Sequence, residues 1–352
     1  MPIVEFINQT VFRIYVDAAY FFLKDRVVKL VYNANDKDTD IGYGNGWRLN
    51  YAQELVKEEI STTTGDTTYY RLTDGDGTRH WYKHDTGSKY VNELNKDTTL
   101  TIHDDHTATL KDKGDAAMTF ALDGSDARGR LTEIADAAGN KTLIVYTSNT
   151  TDTDGNLTET AVRDLRVASV QEALNGQTEG QSVSFSYNTE NRLSKITPPD
   201  GLETEYTYTD GNLSYITYKD SKTAFYTYND TNLLTSAKNI DDYNLNYVYT
   251  ASAPCQVIKV TEKADSTVGQ HLDFAYSRQK TIVTDSQGRD TIYTLNYIGQ
   301  SVSVTDSGDR AVYAAYKTAD REVTQLKAVS KTQDTVYNLL VNHGFEKKVR
   351  HP

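Results

Sequence analysis

Residues 205–234 read EYTYTDGNLSYITYKDSKTAFYTYNDTNLL, and Tyr-Thr-Tyr occurs in them twice, at Tyr206 and Tyr208 and again at Tyr226 and Tyr228. Such a stretch is either a tyrosine-lined binding surface or one period of a structural repeat. The neighbours decide between the two. Leu193, Leu213 and Leu233 recur every 20 residues, as do Ile196 and Ile216, Asp200 and Asp220, and both tyrosine positions. A third copy carries one inserted residue and returns to phase at Tyr247 and Tyr249. Upstream, GRLTEIADAAGNKTLIVYTS from Gly129 keeps the same order, with Ile134, Asp136, Gly139 and a terminal Tyr146. Downstream the pattern decays but persists in FAYSRQKTIVTDSQGRDTIYTLNY from Phe274 and GQSVSVTDSGDRAVYAAYKT from Gly299.

Each unit reads as two strands and two turns. Tyr206 and Tyr208 share one face of a strand and Glu205 and Thr207 the other, the period of two that a pleated strand requires. Asp-Gly and Asn-rich dipeptides stand where the chain reverses, because these residues tolerate positive φ. A hairpin this small cannot bury its own tyrosine face, so neighbouring units are expected to stack into a continuous sheet. Two strands advance such a sheet by roughly 10 Å, and a sheet of many strands curls.

Composition agrees. Of 352 residues 26 are Tyr, and only 38% are apolar, so the chain is expected to be all-β and rich in short hairpins. The net charge of -12 argues against nucleic acid or an anionic membrane surface, which clustered Lys and Arg would serve. Cys255 is the single cysteine and reads as an inert, buried thiol outside any disulfide framework. The apolar N-terminus is interrupted by Glu5, Arg13 and Asp17 and fits neither a signal peptide nor a spanning helix.

The units from 129 to 330 resemble the YD repeats of the RHS (rearrangement hot spot) family, whose pattern runs Gly-Arg-Leu, Ile, Asp, Gly, Tyr-x-Tyr. NDKDTDIGYGNGWRLNY from Asn35 and YRLTDGDGTRHWYK from Tyr70 are similar to segments that precede the repeats in Gram-positive members. The resemblance implies a spiral of β-strands winding into a hollow shell, carried by large secreted or cell-surface proteins. Bacterial members often enclose a C-terminal toxin domain, and animal relatives mediate adhesion. It therefore implies an extracellular or cell-surface location and, as partners, the remainder of a larger polypeptide or an enclosed toxin domain. The chain departs from the family in having no Asp-Pro-x-Gly-Leu-type core ending, no toxin domain after the repeats and no export machinery before them. Both ends read as cut, so a fragment of a larger protein is expected.

The expected organisation is residues 1–26 without family resemblance, a β-rich region at 27–128, repeats at 129–330, and a C-terminal segment at 331–352. In the last, NLLVNHGFE from 338 to 346 resembles the opening strand of a carbohydrate-binding-like sandwich. The expected fold is a YD-repeat hairpin spiral forming a curled sheet or partial shell that is not closed.

Candidate chemistry is thin. Asp36, Asp38 and Asp40 alternate as in a calcium loop, but Ile41 and Trp47 stand where that loop needs Gly and Glu. Asp74 with Asp76, and Asp152 with Asp154, suit tight turns as well as an ion. His103 and His106 flank Asp104 and Asp105, a set that zinc accepts, although the pattern there suits a hairpin tip. GYGNG at 42–46 lacks the following helix a phosphate site needs. Trp47, Trp81 and the tyrosines suit sugar stacking as well as sheet core. Tyr215 and Tyr218 break the repeat phase and are candidates to face a ligand. No catalytic, cofactor-binding or metal-binding residue is assigned, and no cofactor is expected. The expected function is a non-enzymatic structural segment of a shell that displays or encapsulates another domain. The alternative is a carbohydrate-binding or cell-surface adhesion module.

Overall fold

The computed structural model describes residues 26–338 apart from 63–64, 93–96, 175–179, 252–254, 265–266, 297–299, 317–322 and 331–332, and describes 4–7, 11–14 and 18–23 as backbone strand only. Residues 339–346 of the NLLVNHGFE stretch, and 1–3, 8–10, 15–17 and 24–25 of the N-terminal segment, lie outside the described residues. From Arg13 onward the chain divides into two compact units at Asp242/Tyr243.

In the first unit, β1 (Arg26–Tyr32) pairs with β2 (Trp47–Leu49), and between them runs a loop with one short 3-10 turn at Ala34–Asp36. Eight strands then follow as an antiparallel meander: β3 (Glu54–Thr62), β4 (Gly65–Thr73), β5 (Arg79–Thr86), β6 (Lys89–Asn92), β7 (Thr98–Ile102), β8 (Thr107–Asp112), β9 (Ala117–Leu122) and β10 (Arg128–Ala135).

This meander closes on itself. Residues Arg128, Gly129 and Arg130 of β10 pair with Val56, Leu55 and Glu54 of β3. The expectation of an unclosed curled sheet is overturned here: an eight-stranded barrel stands at the start of the sheet. The means of closure is a split strand. One edge of β10 lies along β9, with a register shift at Thr119/Phe120, while its other edge serves two partners. Its first residues complete the barrel, and Glu133–Ala135 pair instead with Lys141–Leu143 of β11 (Lys141–Tyr146). Eight strands leave an interior that side chains fill. Leu55, Tyr70, Leu100, Ala108, Phe120 and Leu131, drawn from alternate strand positions, are at most 1% exposed. Gly129 sits at the seam because a Cβ there would lie 2.4 Å from Leu122 Cδ2 and 3.2 Å from the Ala121 carbonyl oxygen.

From β11 the repeats continue as a plain antiparallel meander through β12 (Val167–Ala173), β13 (Ser182–Tyr187), β14 (Leu193–Thr197), β15 (Thr204–Thr209), β16 (Asn212–Thr217), β17 (Thr223–Tyr228) and β18 (Leu234–Lys238). A five-residue helix, Glu159–Arg163, interrupts it before β12, capped by the Thr158 side chain. The second unit is a further antiparallel meander from Tyr243–Tyr249 to Gln333–Asn338.

One turn recurs throughout. Asp74, Asp123, Asp136, Asp152, Asn229 and Asp285 each accept, through one side-chain oxygen, the amides two and four residues on. The residue three positions on has positive φ in every case: Gly77, Asp126, Gly139, Gly155, Asn232 and Gly288. An Asx side chain that satisfies two amides and a residue free to enter the left-handed region together make the reversal.

Candidate functional site

Several repeat tyrosines satisfy their hydroxyls within the sheet, whereas the buried hydroxyls of Tyr206, Tyr208 and Tyr247 have no hydrogen-bond partner among the described residues. Tyr146 donates to the Leu131 carbonyl at 2.7 Å, Tyr187 to Val167 at 2.8 Å and Tyr228 to Leu213 at 2.8 Å. In the second unit Tyr276 donates to Val257 and Tyr316 to Ser301. Each hydroxyl thus ties its strand to the hairpin before it, and the tyrosines line up as a ladder across the sheet. A buried hydroxyl left without such a partner would cost about 1–3 kcal/mol.

The ladder of the first unit has an occupant, the chain's own residues 32–47. Tyr32 donates to the Asn232 carbonyl at 2.8 Å and accepts from Leu234 N–H at 3.1 Å. The Tyr43 hydroxyl accepts from Val167 N–H at 3.0 Å, donates to the Leu165 carbonyl at 3.0 Å and lies 3.1 Å from the Tyr187 hydroxyl. Trp47 donates its indole N–H to Tyr228 at 2.7 Å, and its ring meets Tyr226 edge-on at 5.2 Å. Two backbone bonds complete the strap, Leu193 N–H to Gly42 O at 2.8 Å and Asn45 N–H to Gly211 O at 2.9 Å. Burial pushes the Tyr43 phenol up to about 12. Tyr187 is likewise pushed upward, by burial first and then by Tyr43 beside it.

The strap's composition follows from this contact. Gly42 and Gly44 have φ of +102° and +94°. A Cβ on Gly42 would lie 2.6 Å from Arg166 Cγ, and one on Gly44 would lie 3.0 Å from Tyr208 Cε1. Only glycine combines that backbone with that approach. GYGNG is therefore a close-packing segment laid on the repeats.

The acidic candidates are brought into separate bonds. Asp40 accepts from Gly42 N–H and Gly44 N–H with one oxygen and from Arg192 Nε at 2.6 Å with the other. Asp36 faces Arg79 at 3.2 Å and Arg48 at 3.9 Å. Asp38 is held below its ordinary value, chiefly by Lys37. Asp74 and Asp152 are turn acceptors as described, and Asp74 also meets His80 Nε2 at 2.7 Å. Burial pushes the Asp74 carboxyl upward. His103 meets Thr109 and His106 meets Asp126, so the two imidazoles serve different partners. Among the described residues no group of three His, Cys, Asp or Glu side chains is placed to hold a metal ion.

Trp47 is 1% exposed and is sheet core, whereas Trp81 is 37% exposed beside Tyr69. Tyr215 is exposed and pairs across strands with exposed Phe225, ring centroids 6.2 Å apart. Tyr218 is half-buried, as is Cys255. Sequence reasoning missed Tyr32, Asn45 and Arg130. Arg130 is 1% exposed, and its guanidinium donates to the carbonyls of Ala161, Asp164 and Ser148 and to Asn149 Oδ1, 4.2 Å over the Tyr146 ring. Its position in Gly-Arg-Leu was the available signal.

No family model matches the chain, and no curated protein does. Among solved structures it is similar to chains of the Photorhabdus luminescens Tc holotoxin pore, with TM-score 0.42 and 13% identity over 80% of this chain and 19% of that chain. TcdB2-TccC3 gives TM-score 0.42 and 13% identity over 91% of this chain and 21% of that one. The N-terminal domain of effector protein SpvB from Salmonella typhimurium gives TM-score 0.26 and 11% identity over 77% of this chain and 94% of that one. The chain spans about a fifth of the length of the Tc chains it matches. Among the described residues no helix is long and apolar enough to cross a membrane.

Proposed function

We propose that the chain is a non-enzymatic structural segment of an RHS-type β-shell, serving to display or enclose another domain of a larger secreted or surface polypeptide. The observation that carries this reading is the use made of the tyrosine ladder. The hydroxyls of Tyr146, Tyr187 and Tyr228 are spent on repeat carbonyls, and Tyr187, Tyr226 and Tyr228 also meet the chain's own strap. The acidic turns are spent in the same way, on backbone amides. Residues that would serve a ligand or a reaction elsewhere serve architecture here. The test is protection: a small folded reporter joined to the chain should be cleaved by thermolysin at least tenfold more slowly than the same reporter on a flexible linker. Equal cleavage rates would count against the reading.

A second reading, glycan contact, has one observation in its favour, the exposed Trp81 ring on the barrel strand β5. A glycan-array hit lost in Trp81→Ala would promote it.

A further inference from the structure

Aligning the repeats by their strands shows a regular pairing of arginine with ladder tyrosine. Arg130 stands sixteen residues before Tyr146 and lies 4.2 Å over its ring. Arg192 stands sixteen before Tyr208 and lies 6.0 Å from its ring centre, held by Asp40 and Glu190. Arg166 stands 5.9 Å from the Tyr187 ring. The next copy has Asn212 at that position, sixteen residues before Tyr228. Among the described residues Tyr228 is the ladder tyrosine of this unit without a guanidinium over its ring.

At that place the surface opens into a cleft of about 560 Å³, lined among others by Asn212, Tyr228, Asp210, Asp230 and Asn232. Its side-chain chemistry is polarised toward acceptors. The Asn212 amide N–H donates to Asn232 Oδ1 at 3.0 Å, and the Asn232 amide donates to Asp38 Oδ1 at 3.3 Å. A carboxylate only accepts, so this chain runs one way, and the oxygen of Asn212 is its free end. That oxygen has no hydrogen-bond partner, although the residue is only 8% exposed. Asp210 and Asp230 add carboxylates at the rim, both on exposed residues.

We infer that this cleft is a binding site for a guanidinium group, taking an arginine side chain from another polypeptide segment where the neighbouring repeats supply their own. A guanidinium suits the place better than an ammonium. It stacks flat on an aromatic face while its planar N–H fork serves several acceptors at once, and it is the more weakly hydrated of the two cations. The two arginines of this chain in the matching position show both halves of that recognition, ring contact and oxygen acceptors, in the same molecule. The inference is independent of whether the whole chain is a shell.

The experiment titrates the full chain with N-acetyl-arginine amide, N-acetyl-lysine amide and guanidinium chloride at matched ionic strength, followed by NMR of the Asn232 side-chain amide, which lines the cleft and is kept in every variant. Saturable binding is expected for the arginine compound at a concentration at least tenfold below that for lysine. A Gly-Arg-Gly peptide binding more tightly than guanidinium chloride would assign the site to a presented side chain rather than to the bare cation. Asn212→Arg should fill the cleft from within, weaken binding at least tenfold and raise the melting temperature. The pair Asp210→Asn and Asp230→Asn changes only exposed groups and should weaken binding several-fold with the fold intact. Equal affinity for arginine and lysine, no saturation with any probe, or full binding by both variants would overturn the proposal.

Discussion

The barrel of β3–β10 and the repeats of β11–β18 solve one problem in two ways. Both are antiparallel meanders with one apolar face, and such a face is stable only when something covers it. The barrel covers its own by closing, so Leu100 and Phe120 face other barrel strands and are fully buried. Among the described residues the repeats after β10 form no closing pairing within their unit, and a loop from the other end of the unit covers them, with Trp47, Tyr43 and Tyr32 meeting the ladder. Closure depends on strand geometry and on a glycine at the seam. The strap depends on a few large side chains, so damage should be concentrated there.

Removing Trp47 is expected to do the most harm. Trp47→Ala deletes a fully buried indole and its hydrogen bond to Tyr228, a loss of about 3–5 kcal/mol. Urea unfolding should show it as a lower midpoint, with amides on β16 and β17 losing hydrogen-exchange protection while those of β7 and β8 keep theirs. Uniform loss across barrel and repeats would break the distinction. Gly129→Val tests the barrel in turn. Its added side chain strikes buried Leu122 and should cost about 1–3 kcal/mol, with deprotection of β3 and β10 first.

Alkaline titration reads the strap through its phenols. Tyr43 is raised to about 12, so its contribution is complete below pH 10 and is lost as pH rises from 10 toward 12, at about 1.4 kcal/mol per pH unit. Phenolate absorbance should lag a free-tyrosine curve and then rise together with unfolding of the strap. A rise with the structure intact would show that the hydroxyl is not held.

The smallest effect sharpens the comparison between covered and second-unit repeats. Tyr228→Phe loses the bond to Leu213 and leaves the Trp47 indole N–H unpaired, whereas Tyr276→Phe loses only the bond to Val257. The second should cost about 1 kcal/mol and the first about twice that, read from thermal unfolding.

The structure bears out much of the local reading. Strand alternation placed Tyr206 and Tyr226 on the buried face, where the structure has them at 5% and 6% exposure. Turn chemistry was legible too, since Asp or Asn followed three residues later by Gly, Asn or Asp marks the reversals at Asp74, Asp152 and Asn229. That spacing, read in full, would have assigned the acidic pairs at 73–78 and 152–156 to turns outright. GYGNG was legible only as unusual, because the reason for its glycines lies in Arg166 and Tyr208, far along the chain.

The sequence by itself determined the β-class, the repeat and the turns, because each depends on residues within about one hairpin of one another. Closure and covering were decided only in three dimensions. The barrel seam joins Arg128 to Glu54 across 74 residues, and Tyr32 reaches Leu234 across 202. A periodic pattern records which face of each strand is apolar and carries no information about which distant segment will cover it. That choice rests on shape and on unsatisfied hydrogen bonds, which exist as a surface only once the strands have paired.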